Sequence, residues 1–286
     1  MKRKIWIVLL CCVLLLPPAV YWVLWANTAP VLTRYDVTHE ALPDSFDGLR
    51  IAQVSDLHNA AFGENNEEIL NLLRQAQPDI IAITGDLIDS RNTDIRIALA
   101  FVREAVKIAP CYYVTGNHEQ RIAQYETLEQ GMLEAGVTVL RNDSRVLERN
   151  GESIRIMGVD DCTFYAGTDG NAQVRAMEKE IVRMQSDAYT VLLAHRPELA
   201  VVYDRYDLDL VLCGHAHGGQ IRLPFIGGLF APDQGFFPKY TKGVYELQDL
   251  TMVVSAGLGN SVFPLRFCNR PEIVVVTLKG VTQEKT

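Results

Sequence analysis

An apolar run ends in two histidines at Cys213-Gly214-His215-Ala216-His217-Gly218-Gly219-Gln220. Imidazole is the commonest neutral metal ligand among side chains. Residues one apart in an extended segment point to the same side, so His215 and His217 reach two adjacent points in space. That suggests two metal ions rather than one. A lone His-x-His can equally be a polar loop after a buried strand. Four further clusters bear on the choice: Asp56-Leu57-His58, Gly85-Asp86-Leu87-Ile88-Asp89, Gly116-Asn117-His118-Glu119 and His195. Of the six histidines, five fall in these clusters and only His39 lies elsewhere, as a solvated bystander. Any one cluster alone reads as a cap or a satisfied turn; five strand ends that all carry ligand-type residues do not.

The elements that must position these residues alternate. Residues 49–55, 79–84 and 111–115 are strand-like apolar runs. Between them, Ile69, Leu72, Leu73 and Ala76, then Ile95, Leu99, Val102 and Val106, recur at helical spacing and are closed by Pro78 and Pro110. A further helix over 122–135 leads to a strand at 137–140, and 144–148 and 153–158 form a hairpin through Asn150-Gly151. A helix marked by Val174, Met177, Ile181 and Met184 precedes strands at 189–194 and 209–213, and 244–247, 252–255 and 273–278 complete the sheets. The pattern implies a layered α/β domain, two sheets packed together with helices outside. Each ligand-type cluster then sits at the carboxyl end of a strand, where α/β proteins build sites.

Taken in order, Asp-x-His, Gly-Asp-x-x-Asp, Gly-Asn-His-Glu, a lone His and Gly-His-x-His make the chain resemble the calcineurin-like metallophosphoesterase superfamily, from Asp56 to His217. The resemblance implies an α/β/β/α sandwich and a metal-dependent phosphoric ester hydrolase. It implies one metal held by Asp56, His58, Asp86 and His217, and a second held by Asp86, Asn117, His195 and His215, with Asp86 shared. A hydroxide bridging the two would attack phosphorus. His118 would act on the ester oxygen without binding metal, Asp89 would hold its other ring nitrogen, and Glu119 would orient the loop. Carboxylate, amide and imidazole ligands without thiolate suit two divalent ions, Mn with Fe or Zn as alternatives. The chain departs from the phosphoprotein-phosphatase branch, in which Arg directly follows the second Asp, because Ser90 precedes Arg91. Residues 218–224 and 257–260, leading to Arg266, Arg270 and Pro271, look more like small bacterial membrane-associated metallophosphoesterases, some of which cleave the pyrophosphate of UDP-2,3-diacylglucosamine.

Composition sets the outer limits. The 286 residues suffice for one large domain. A net charge of −8 argues against a nucleic-acid partner, so an anionic substrate needs a local positive centre. Basic residues 2–4 precede an uncharged stretch from Ile5 to Ala26, which as a helix spans roughly 33 Å. We read residues 1–27 as an uncleaved membrane anchor, with a cleaved leader as the alternative, 28–48 as a linker without clear period, 49–280 as the catalytic domain and 281–286 as a tail. The basic end places the N-terminus in the cytoplasm and the body outside it. The scattered cysteines leave room for one disulfide.

Residues 222–240 carry Phe225, Ile226, Leu229, Phe230, Phe236 and Phe237 directly after two ligand-type histidines. They form either a lipid-facing lip or a loop packed on the core. Arg222, Arg266 and Arg270 either grip a substrate phosphate or form ordinary surface pairs. The expected activity is hydrolysis of a phosphoester or pyrophosphate on a phosphorylated small molecule or lipid. The alternatives are a secreted phosphatase or phosphodiesterase of broad specificity and a non-catalytic, metal-stabilised membrane scaffold.

Overall fold

The computed structural model describes residues 2–166, 169–260 and 263–281, without the side chains of residues 2, 3, 5, 7–12, 15 and 19. The expected tail therefore lies outside the described residues save for Val281, as do the side chains of Cys11 and Cys12. Helix α1 runs over Lys2–Thr28, straight through Pro17 and Pro18. Among the described residues no helix is long and apolar enough to cross a membrane, and side chains 7–12 of the apolar run behind that expectation are not among them.

The segment expected to be a linker contains strand β1, Val31–His39. Its alternating polar residues leave it half exposed at a sheet edge. Then follow β2 (Arg50–Val54), α2 (Glu67–Ala76), β3 (Ile80–Thr84), α3 (Ile95–Ala105), β4 (Cys111–Val114), α4 (Tyr125–Ala135) and β5 (Thr138–Val139). Helix α4 starts three residues later than its apolar pattern predicts, because Glu119–Arg121 form a 3-10 turn first. The hairpin is β6 (Asp143–Arg149) with β7 (Glu152–Gly158), followed by α5 (Gly170–Met184), β8 (Thr190–Leu193), α6 (Ala200–Tyr203) and β9 (Leu210–Cys213). Four two-residue strands make a strap: β10 (Arg222–Leu223) pairs with β11 (Gly227–Gly228), and β12 (Phe230–Ala231) with β13 (Gly235–Phe236). Strands β14 (Gly243–Glu246), β15 (Thr251–Val254) and β16 (Glu272–Gly280) complete the order.

Two six-stranded sheets result, β1-β16-β2-β3-β4-β5 and β14-β15-β9-β8-β7-β6. Their facing sides share one apolar layer, in which Ile51, Ile80, Ala82 and Val114 meet Ile154, Val191, Leu193, Leu210 and Leu212. The outer face of the first sheet packs on α2, α3 and α4 through Leu73, Phe101, Val102 and Leu128. The outer face of the second packs on α5 and α6 through Met177, Ile181 and Tyr203. Strands β3, β4, β8 and β9 are covered on both faces and buried at every residue, which is why their sequences are predominantly apolar. Cys111, Cys162, Cys213 and Cys268 are free thiols, so no disulfide joins them.

Candidate metal centre

The carboxyl ends of β2, β3, β4, β8 and β9 converge between the sheets, and the polar clusters meet there. Asp56, His58 and His217 bring one ligand atom each to within 4.8 Å of one another, and so do Asp86, His195 and His215. Asp86 stands between the two groups. Its Oδ2 lies 3.5 Å from His58 Nε2 and 3.3 Å from His195 Nε2, while its Oδ1 accepts the His118 N–H at 2.8 Å. His217 Nε2 is 3.7 Å from Asp56 Oδ1.

The backbone is strained at these positions. Asp56, His58, Asp86, His215 and His217 all have φ between 46° and 62°, a region that costs residues other than glycine about 1–2 kcal/mol each. Hydrogen bonds hold the loops in place. Glu119, fully buried, accepts the N–H groups of Asp86 (3.0 Å), Leu87 (2.8 Å) and Gly116 (2.9 Å). Asp56 accepts the His215 N–H at 3.1 Å. At Gly214 the chains come so close that an added Cβ would stand 1.9 Å from Ser55 Oγ and 2.4 Å from Asp56 Oδ2.

The donor set fits cations. Both ring nitrogens of His58, Nε2 of His195 and Oδ1 of Asn117 are buried without a hydrogen-bond partner, an arrangement that costs free energy unless something binds there. His195 Nδ1 donates to the Thr84 carbonyl at 2.7 Å, which leaves Nε2, 3.3 Å from Asp86 Oδ2, as the ring atom on offer to a cation. Burial opposes charge on Asp56 and Asp86, yet His217 beside Asp56 and His195 beside Asp86 hold both well below the usual carboxylate range. Burial, with repulsion from Asp86, pushes Glu119 up to about 8.

His118 is placed differently from expectation. Its ring lies edge-on to His58, with centroids 4.5 Å apart, and its Nδ1 accepts the backbone N–H of Ser90 at 3.0 Å. Asp89 Oδ1 is 3.6 Å away, and that carboxylate is bound by the Arg91 guanidinium at 3.1 and 2.7 Å. Ser90, not Asp89, therefore holds the ring. Burial pushes His118 down to about 4. The neutral ring with an acceptor Nδ1 carries its proton on Nε2.

A cavity of about 700 Å3 opens beside the cluster. Asp86, Asn117, His118, His215 and His217 line its polar end, and Ile221, Leu229, Phe230, Phe236 and Phe263 its apolar side. The three arginines expected to grip phosphate are engaged elsewhere. Arg266, 1% exposed, donates to the carbonyls of Ala256 (2.7 Å) and Gly259 (2.6 Å) and to Asn260, and burial draws its guanidinium down to about 10. Arg222 donates to the Gly218 carbonyl and to Thr241. Arg270 binds the Ala29 carbonyl and lies 4.7 Å over the Trp25 ring. Arg121, which the sequence reading passed over, lines the cavity instead. Its place one turn past His118 is the only signal that pointed to it. His39 lies outside the cluster, its Nδ1 accepting the Ala41 N–H at 3.2 Å and standing 3.4 Å from Asp209.

Comparison with known proteins agrees with this geometry. Residues 49–219 match the family described as calcineurin-like phosphoesterase. The chain is 32% identical over 256 residues to the uncharacterized metallophosphoesterase YkuE of Bacillus subtilis, covering 87% of this chain and 85% of that protein. It is 30% identical over 258 residues to an uncharacterized metallophosphoesterase of Aquifex aeolicus, covering 86% and 91%. It is also 30% identical over 274 residues to a zebrafish transmembrane protein with metallophosphoesterase domain, covering 91% of this chain and 60% of that one. With its clustered acids and imidazoles between two sheets, the chain belongs to the calcineurin-like metallophosphoesterases, enzymes that hydrolyse phosphoesters.

Proposed function

We propose that the chain is a dinuclear metallophosphoesterase working at a membrane surface on a lipid-linked phosphoester or pyrophosphate. The observation that carries the dinuclear reading is the single oxygen, Asp86 Oδ2, standing between His58 and His195, one from each ligand group. Asp56, His58, Asp86 and His217 would hold one divalent ion, and Asp86, Asn117, His195 and His215 the other, with Mn favoured. Two such ions supply an acidified water and positive charge for the phosphoryl oxygens. The protein does the rest. His118 offers an Nε2–H to the leaving oxygen, Glu119 keeps the loops of Asp86 and Asn117 in register, and Arg121 is the one Lys or Arg in the cavity wall among the described residues. Asp89 acts one step removed, as the counter-ion of Arg91.

The apolar side of the cavity supports the lipid-linked reading. The cavity's size suits a small-molecule site; Phe236 lines it, and Phe225, Phe236 and Phe237 of the strap are 109%, 72% and 66% exposed. The end of α1 packs on residues 266–267, with the Trp22 ring 5.8 Å from Phe267 and Asn27 bonded both ways to the Arg266 backbone. The uncharged stretch from Ile5 to Ala26 and the word transmembrane in the name of the zebrafish relative support an anchor, and the basic residues 2–4 favour a body outside the cytoplasm.

The test is turnover after chelation and reloading with Mn, across a nitrophenyl monoester, a bis-nitrophenyl diester and a lipid-linked pyrophosphate, with His118→Ala alongside. The wild type should regain activity with two metals bound and prefer the lipid-linked substrate. His118→Ala should regain both metals but turn over about 10²–10⁴-fold more slowly. No turnover on any substrate by a folded protein carrying two metals would favour the scaffold, and loss of a metal in His118→Ala would make that histidine a ligand.

A further inference from the structure

One carboxylate outside the ligand groups touches a member of them. Asp233 lies in the turn between β12 and β13, and its Oδ2 is 2.9 Å from Nε2 of His215. The same oxygen accepts from Arg196 Nη1 at 2.6 Å. Arg196, 9% exposed, donates through Nε to Asp161 Oδ2 at 2.6 Å and reaches Glu198 at 3.2 Å. Asp161 is in turn fixed by Thr163 Oγ1 at 2.6 Å, and its N–H donates to Thr115 Oγ1 at 2.9 Å. A continuous chain of ion pairs thus runs from the ends of β4 and β7 through Arg196 to the imidazole.

Glu198, His215 and Asp233 stand close enough together to suggest a third cation. The Arg196 guanidinium already bonds both carboxylates, however, and supplies the positive charge that such an ion would bring. A different role follows from the direction of the bond. A carboxylate only accepts, so Nε2 of His215 carries the proton and Nδ1 keeps its lone pair, on a ring that lines the cavity.

We propose that Asp233 is a positioning residue. It locks His215 as the Nε2–H tautomer with Nδ1 as the ligand atom, and the Arg196–Asp161 pair is its anchor. The inference rests on the dinuclear reading above. It ties the strap to the metal centre, because the segment that bears the exposed Phe236 and Phe237 also carries the group that orients one ligand of one metal.

The experiment is calorimetric titration of the chelated, detergent-solubilised full chain with Mn, for the wild type, Asp233→Ala and Asp233→Asn. Folding is checked by circular dichroism, and the imidazole tautomers are read by NMR of 15N-histidine-labelled apoprotein. In Asp233→Ala one of the two sites should weaken 10–100-fold while the other keeps its affinity. Asp233→Asn, which retains an acceptor oxygen, should lose less. His215 should be the Nε2–H tautomer in the wild type and a mixture in Asp233→Ala. Equal affinity at both sites in folded Asp233→Ala, or an Nδ1–H tautomer in the wild type, would overturn the proposal. A wild type that binds fewer than two Mn would refute the dinuclear reading, and the tautomer would still decide the role of Asp233.

Discussion

Glu119 is a carboxylate placed among the ligands to serve the backbone. Its two oxygens take three N–H groups from the β3 and β4 loops, so its loss leaves those donors buried and unpaired, at about 1–3 kcal/mol each. Glu119→Ala should lower stability by about 3 kcal/mol or more, read as a fall of roughly 6–12 °C in Tm, with metal affinity falling too as the Asp86 and Asn117 loops lose register. An unchanged Tm would mean that water or a shifted loop replaces the carboxylate. At this scale the residues that the fold brings together at the candidate centre were legible in the sequence, because ligand chemistry restricts residue type. Their left-handed backbone was not: His58 or Asp86 at positive φ carries no mark in the sequence, unlike a glycine. The role given to Asp89 failed for a related reason. Spacing places Asp89 and Ser90 equally near His118, and only the fold decides that a backbone N–H arrives first. The arginines misled because guanidinium suits carbonyls as well as phosphate, and nothing local in the sequence tells which Arg266 will meet.

Strands give the site its precision, and glycines let them close. Gly214 follows β9 where the Ser55 and Asp56 side chains pass, so Gly214→Ala sets a methyl 1.9 Å from Ser55 Oγ. The carboxylate of Asp56 must then move. The expected result is a folded protein with at least tenfold weaker affinity at the Asp56 metal and a smaller change at the site built on His195, measured by metal titration. Equal affinity at both would mean that β9 itself shifts to make room. The buried elements were legible because their apolar runs need both faces covered: β3, β8 and β9, and α2 from Glu67 to Ala76, fall where periodicity puts them. Strand β1 was missed because its half-exposed residues mix polar and apolar types, and an edge strand needs only one partner. The strap of β10 to β13 was read only as an aromatic loop, since pairing two residues long leaves no period to detect.

At the scale of the whole molecule, Arg266 links the end of α1 to the candidate centre, its backbone bonded to Asn27 and its guanidinium 3.5 Å from His217 Nδ1, while Arg270 lies over Trp25. Removing residues 1–27 should release the protein from carbonate-washed membranes. In the full chain, Phe236→Ser with Phe237→Ser should cut turnover of a lipid-linked substrate several-fold while leaving a soluble nitrophenyl ester nearly unaffected. Equal losses on both substrates would mean that the strap supports the metals alone. One further consequence follows from the strand order of the first sheet, in which β16 lies between β1 and β2, parallel to the first and antiparallel to the second. The last strand among the described residues therefore fills a gap between two of the earliest. Until β16 is in place, β2 is paired only with β3 and its other edge stays open. Long-range pairing of this kind folds late, so a chain clipped before β16 should be exposed to aggregation through the open edge of β2.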